Sequence, residues 1–291
     1  MTKNTAVAEI GVIGGSGMYD IDGIEDVKEM MLKTPFGDPS DTIIVGSLAG
    51  VRCAFLPRHG RGHTLLPGEV NSRANIYALK SLGVKQIISV SACGSLREEI
   101  KPREFLVPDQ IFDATKGRAS TFFGNGIVAH VGFAEPFCGG MRDVIHQGLG
   151  VQGITHHFGG TYLCMEGPAF STKAESAFNR QQGFSVIGMT AIPEAKLARE
   201  AEICYATIAL VTDYDVWKEG EEVSVETVIA TMQSNVAASK RLLKYILPKL
   251  AKRSHTCACG SALKHAIMTA PAKITPAIRE RLGLLIDAYI K

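Results

Sequence analysis

Short apolar runs recur along the chain, each closed by glycine, serine or polar residues. Ala8 to Ile13 leads into Gly14-Gly15-Ser16-Gly17 and predicts a buried strand entering a tight loop. Thr42 to Ser47, Val51 to Leu56, Gln86 to Ser91, Phe105 to Val107, Thr161 to Met165, Ser185 to Met189 and Tyr205 to Val211 read as further strands. Between them the period changes. Asn71 to Leu82 places Ala74, Ile76, Ala78, Leu79 and Leu82 largely on one face, and Pro193 to Ile203 starts with proline near a first turn, so both predict helices. Strands alternating with helices predict an α/β fold, with a mostly parallel central sheet flanked by helices on both sides. From Val225 to Leu250 one long helix is expected, with Pro248 marking its end. Lys252 to Gly260 is polar and carries cysteines, and Thr275-Pro276 then caps a terminal helix whose Ile278, Leu282, Leu285 and Tyr289 share a side. Neither an internal repeat nor a low-complexity linker interrupts this order. The simplest organisation is one domain over residues 1–250 and a helical extension over 251–291 packed on it.

Composition narrows the function classes. Of 291 residues, 46% are hydrophobic and 21% charged, which is enough apolar material for a sizeable core and excludes a disordered chain. A formal charge of +2, without a polybasic run or an aromatic-basic stripe, argues against nucleic acid as partner and for a small anionic group held locally. Met1 to Glu9 lacks a secretory pattern and no apolar run approaches membrane-spanning length, so a cytoplasmic protein with no membrane partner is expected. The seven cysteines lack zinc-finger spacing, and no metal is expected.

Four segments carry candidate chemistry. Gly14-Gly15-Ser16-Gly17 after the first strand suits a phosphate loop, because glycines let backbone N–H groups approach an anion; a plain strand-end turn fits it as well. Pro57-Arg58-His59-Gly60-Arg61-Gly62-His63-Thr64 is a more specific anion signal, in which Arg58 grips two oxygens in a fork and His59 donates once more; the alternative is a solvated basic loop. Ser89-Val90-Ser91-Ala92-Cys93-Gly94-Ser95 ends a buried strand in small residues, where ligands bind in parallel sheets, and Ser91 with the Ala92 N–H would complete a cradle. Cys93 there reads as a core thiol before it reads as a nucleophile. Thr212-Asp213-Tyr214-Asp215 puts two carboxylates on one side of an extended strand end, suited to protonating or hydrogen-bonding a purine leaving group; solvated turn acids are the alternative. In the tail, Cys257-Ala258-Cys259 reads as an accessible thiol pair, a labile redox candidate if joined and otherwise two surface thiols without a role.

Taken in order, these segments resemble the methylthioadenosine phosphorylases, a branch of the trimeric nucleoside phosphorylase family. The resemblance runs from Ile10 to about Leu250. It is carried by Ile13-Gly14-Gly15-Ser16-Gly17, Thr34-Pro35-Phe36-Gly37, Arg58-His59-Gly60-Arg61, Ala92-Cys93-Gly94-Ser95-Leu96-Arg97-Glu98-Glu99, Glu166-Gly167-Pro168-Ala169-Phe170-Ser171, Met189-Thr190, Pro193-Glu194 and Thr212-Asp213-Tyr214-Asp215. It implies metal-free phosphorolysis of an adenine nucleoside, without a cofactor and with inorganic phosphate as co-substrate, giving adenine and 5-methylthioribose 1-phosphate. Phosphate would be held by Ser16, Arg58, His59, Ser91, Ala92 and Thr190, and Met189 would pack beneath the ribose. Phe170 and Ser171 would line the base pocket, with Asp213 and Asp215 reading the amine and N7. Val225 and Val228 would wall the 5′-methylthio group, and His130 would be lent by a neighbouring subunit of a homotrimer or dimer of trimers. Lys116 to Gly126 matches the human-like members poorly, while the cysteine tail looks like the second archaeal type, whose disulfide positions Cys138 and Cys204 resemble. The rival functions are a phosphorylase for adenosine or 6-oxopurine nucleosides and, from another class, a nucleotide sensor or redox protein using Cys257 and Cys259.

Overall fold

The computed structural model describes residues 6–15, 22–220 and 225–290, with side chains in the last segment from 229 onward. A mixed, mostly parallel sheet runs through the molecule. Its strands are β1 (Ile10–Gly14), β2 (Glu25–Met30), β3 (Ile43–Leu48), β4 (Val51–Pro57), β5 (Gln86–Ser95), β6 (Phe105–Val107), β7 (Gln110–Ala114), β8 (His156–Phe158), β9 (Thr161–Met165), β10 (Val186–Gly188) and β11 (Cys204–Asp213). The helices are α1 (Ser72–Ser81), α2 (Gly139–Val151), α3 (Lys173–Gln181), α4 (Ala191–Glu200), α5 (Val225–Ala251) and α6 (Pro276–Ile286).

The sheet order is β2-β3-β4-β1-β5-β10-β9-β7, with β11 pairing the other edge of β5 and leading on to β6 and β8. β5 is the strand on which this arrangement turns. One edge pairs in parallel with β1 up to Val90, and the same edge then pairs antiparallel with β10 at Gly94 and Ser95. Ser91, Ala92 and Cys93 lie between those pairings, where the sheet splits. β11 accompanies β5 in parallel along the opposite edge, with an irregularity between Val211 and Asp213. Ligands favour such a break at the carboxyl ends of parallel strands.

Two cores lie on the two faces. α1, α4 and α6 contribute Ile76, Leu79, Leu197, Leu282 and Ile286 to one, and α2 and α5 contribute Met141, Ile145, Leu149, Leu242 and Ile246 to the other. α1 starts at Asn71, whose side chain accepts the Ala74 N–H. The terminal extension joins the first core through Leu263, Ile278, Leu282, Leu285 and Ile290, so its apolar stripe is buried on the sheet-covering layer.

Every strand expected from an apolar run is present. The additional β2, β7 and β8 are short and largely polar or exposed, and the apolar pattern does not announce them. α3 buries only Ser176, so it has no apolar stripe; its sequence signal is the Thr172–Glu175 capping box. α2 buries Met141, Ile145 and Leu149 but is diluted by glycines. Gly148 has a packing reason, since a Cβ there would sit 2.4 Å from Ile246 of α5. Two boundaries differ from expectation. α5 runs through Pro248 to Ala251 because Leu247 and Leu250 are drawn into the core and the Leu250 carbonyl accepts from Gln86. α4 stops at Glu200, ahead of Glu202 in a left-handed conformation, and its Ile192 is non-helical. The accessible cysteine tail is also corrected: Cys259 is buried and Cys257 half-buried, both packed on the second core.

Candidate active site

The break in the sheet opens into a cavity of about 270 Å3. Its wall brings together Arg58, His59, Ser91, Ala92, Phe170, Met189, Thr190, Asp213 and Asp215, most of the expected set, from five separate stretches of chain. Ser171 is buried close behind, near enough to Asp215 to favour its charged form but without a hydrogen bond of full geometry. His130 is exposed and lies outside this wall. Ser16, and the side chains of Val225 and Val228, fall outside the described residues; from α5, Met232 reaches the cavity.

One end of the cavity is polar. Gly15 closes β1, with Arg58 Nη1 3.6 Å from where its Cβ would stand. Ser91 and Thr190 share a 2.8 Å hydrogen bond, and Thr190 is the residue from which α4 starts. Arg58 is oriented by a residue to which the sequence reading attached no role. Its Nε and Nη2 donate to Glu194 at 2.5 and 3.2 Å, Nη2 also to Ser89 and Nη1 to the Val90 carbonyl. The fork expected to face an anion therefore faces a buried carboxylate, and Nη1 is what remains on the Gly15 side. Glu194 also accepts from Ser89 and Tyr205. Burial works against the Arg58 charge, and Glu194 more than restores it, so the guanidinium stays protonated.

His59 departs from the donor role expected of it. Its Nδ1 lies 2.9 Å from the Leu65 carbonyl, which can only accept, so Nδ1 carries the hydrogen and Nε2 is left as an acceptor in the neutral ring. Burial, followed by the Arg58 charge, lowers its pKa to about 4. Above the unfolded value of about 6.5 both states are neutral and the ring contributes nothing. As pH falls from there toward about 4, only the unfolded chain gains the proton, and stability drops by about 3 kcal/mol. Urea unfolding across this range should show that loss, and His59→Gln should remove it; equal slopes in the two proteins would mean that His59 is not held neutral.

The opposite end holds the two carboxyls. Asp213 Oδ1 accepts the Asp215 N–H at 2.8 Å and Oδ2 accepts the Thr212 hydroxyl at 2.7 Å. Asp215 takes a left-handed conformation with φ of 53°, and its buried Oδ2 has no hydrogen-bond partner among the described residues. Burial raises the pKa of both acids. Gly94 makes the arrangement possible, since a Cβ there would lie 2.8 Å from Asp213 Oδ1. Between the two ends the wall is apolar, formed by Met165, Ile187, Met189, Leu210 and Met232 with Phe170 at the rim. Cys93 is in this wall too, but burial pushes its pKa to about 12, which makes it an inert thiol.

Arg118 is a second residue the sequence reading missed. It binds Glu166 at 3.1 Å and donates to the carbonyls of Glu166, Met189 and Ile192, tying together the loops that carry Met189 and Thr190. It lies in Lys116 to Gly126, the stretch where the family resemblance is poor, and no local pattern distinguishes it from a solvated arginine.

Comparison with known proteins identifies the family and the fold. The model of the family described as "Phosphorylase superfamily" matches residues 9–248. The S-methyl-5′-thioadenosine phosphorylase of Geobacter sulfurreducens is 56% identical over 97% of this chain and 99% of its own length. That of Hyperthermus butylicus is 51% identical over 91% of this chain and 98% of its own. Among solved structures, a methylthioadenosine phosphorylase from an antarctic soil metagenomic library superimposes with a TM-score of 0.93 at 45% identity, covering 97% of this chain and 99% of that one. The Schistosoma mansoni enzyme in complex with tubercidin gives a TM-score of 0.84 at 34% identity, covering 90% of this chain and all of that one.

Proposed function

The chain belongs to the phosphorylase superfamily, and from that premise we propose that its cavity performs the phosphorolysis of 5′-deoxy-5′-methylthioadenosine, releasing adenine and 5-methylthioribose 1-phosphate. It is a pentosyltransferase, like the methylthioadenosine phosphorylases that it resembles in sequence and in fold. Within the cavity, the observation that carries the reading is the Asp213–Asp215 pair, half-buried and buried respectively, with one Asp215 carboxylate oxygen left unpartnered at that end among the described residues.

Phosphate belongs at the polar end, among Gly15, Arg58 Nη1, Ser91, Ala92 and Thr190. His59 Nε2 suits it by accepting from a protonated phosphate oxygen. Breaking the bond from sugar to base builds positive charge on the sugar, which phosphate stabilises before it attacks C1′. Met189 lies under the ribose, held there by Gly167, whose φ of 68° and missing side chain leave room for the Met189 sulfur. Adenine lies against Phe170 with its N7 and amine toward Asp213 and Asp215, and a carboxyl whose burial raises its pKa assists its departure. Met232 belongs to the apolar wall that shelters the methylthio group, together with Val225 and Val228 of the same helix. The site is completed by His130 of a neighbouring subunit in a homotrimer, and a cytoplasmic setting accords with a reaction on free nucleoside and phosphate. No helix among the described residues is long and apolar enough to cross a membrane.

The test is phosphate-dependent release of free base from methylthioadenosine, adenosine and inosine. Methylthioadenosine should be cleaved fastest. Adenosine should be slower by up to about a hundredfold, since an apolar pocket rejects an added hydroxyl only to that extent. Faster turnover of adenosine or inosine would overturn the substrate, and base release independent of phosphate would overturn the reaction. An active monomer in sedimentation would remove the role of His130.

A further inference from the structure

Far from this cavity, four cysteines from three parts of the chain converge. Cys138 precedes α2, Cys204 opens β11, and Cys257 and Cys259 flank the start of a short 3-10 turn, Ala258–Ser261. Their sulfurs all lie within 4.8 Å of one another. Cys204 to Cys257 measures 3.3 Å and Cys138 to Cys257 3.8 Å, and all four are free thiols. From the geometry we infer that these four thiols form a tetrahedral site for a thiophilic divalent cation of the zinc type, which ties the C-terminal extension to the core.

The spacing distinguishes a metal site from a disulfide pair. A zinc–sulfur bond of about 2.3 Å gives a tetrahedral edge of about 3.8 Å, close to the observed separations of 3.3 and 3.8 Å. Disulfides would instead draw the sulfurs together in pairs at about 2.0 Å. Four mutually close thiols need little movement to reach the first geometry and must separate into two pairs to reach the second. Among the described residues this is the one group of such side chains placed to hold a metal ion.

The surroundings also suit four thiolates, which leave the site two negative charges in excess of a divalent cation. Arg253 Nη2 donates to Cys204 at 3.4 Å and is aimed by Gln86 Oε1 at 3.2 Å. Cys138 sits at the N-terminus of α2, where the helix dipole favours a thiolate. Such donors around the sulfurs stabilise metal thiolates. Inside a cell thiols stay reduced, so convergent cysteines there more often bind metal than form disulfides. Cys204 and Asp213 stand at opposite ends of β11, about 30 Å apart at roughly 3.3 Å per residue, so the metal would act on the fold and not on the reaction.

The experiment uses the full chain, purified under reductant, stripped of metal and then titrated anaerobically with Zn2+ or Co2+. One ion per chain should bind, and the cobalt form should show intense sulfur-to-cobalt charge transfer together with the d–d bands of tetrahedral coordination. Zn2+ should raise the thermal midpoint by several degrees. Stoichiometry should fall to near zero in Cys257→Ser/Cys259→Ser and stay near one in Cys53→Ala, whose thiol lies elsewhere in the core. Because the double variant could fail to fold, the wild-type cobalt spectrum decides independently. Failure of the reduced wild type to take up cobalt, or cobalt bound without charge-transfer bands, would overturn the site. Finding only disulfide-linked cysteines that yield no metal-binding protein on reduction would overturn it equally.

Discussion

Asp213→Asn is expected to lower kcat/KM for methylthioadenosine by about 10²–10⁴-fold, the range that a positioned general acid contributes. The substitution preserves shape. Oδ1 can still accept the Asp215 N–H, and the Thr212 hydroxyl, which also lies 3.2 Å from the Cys93 carbonyl, can turn its hydrogen there and accept from the new amide. What is lost is a carboxyl whose burial raises its pKa and so favours the protonated form that can donate. An amide can hold N7 or a 6-oxo group by hydrogen bonding but cannot transfer a proton. Methylthioinosine should therefore lose less than methylthioadenosine, and the preference between them should narrow or reverse. The wild-type rate should decline as pH rises through the raised carboxyl pKa, and the variant should lack that limb. Steady-state rates on both nucleosides, with the thermal midpoint as a control for folding, provide the check; an unchanged rate on methylthioadenosine would remove Asp213 from the chemistry.

Glu194→Ala should cost about 3–5 kcal/mol of stability, more than loss of any surface charge, because it leaves the Arg58 guanidinium buried without a counter-ion. Arg58 is 2% exposed and Glu194 1%, so water cannot compensate either. Glu194→Gln, which keeps two hydrogen-bonding atoms, should cost less. In Arg58→Met/Glu194→Leu no charge is stranded, and the loss should be well below the sum of the single losses. Urea midpoints for the wild type, Arg58→Met, Glu194→Leu and the double variant test this. Additive losses would mean that the two residues contribute independently. The kinetic consequence is separate: Glu194→Ala and Glu194→Gln both loosen the hold on the Arg58 guanidinium that keeps Nη1 beside Gly15, so the apparent phosphate KM should rise in each.

The apolar runs that end in small residues read correctly as strands because a strand buried on both faces must be mostly apolar, as Ile10 to Ile13, Gln86 to Val90 and Cys204 to Val211 are, with Gln86, Ser89 and Thr207 tolerated there because each is hydrogen-bonded. The same is true of α1 and α6, whose stripes follow the helical period. Elements that depend on partners were less legible. α3 has no apolar face of its own, and β7 and β8 are short strands added at the margins of the sheet. Pro248 was read by its local cost, and the burial of Leu247 and Leu250 outweighed that cost.

At the candidate site the residue types were legible, since glycine, arginine and paired carboxylates at strand ends are chosen for what they can touch. Their uses were decided by the three-dimensional arrangement. The sequence alone determined that Arg58, His59, Ser91, Asp213 and Asp215 would lie at strand ends, because strand periodicity and chain breaks are local properties. Only the tertiary structure decided that Glu194, 136 residues away, takes the fork of Arg58, that Leu65 leaves His59 an acceptor, and that Cys138 and Cys204 meet Cys257 and Cys259. Side-chain direction, burial and the identity of the nearest charge are set by packing between distant segments, and no pattern within one segment encodes them.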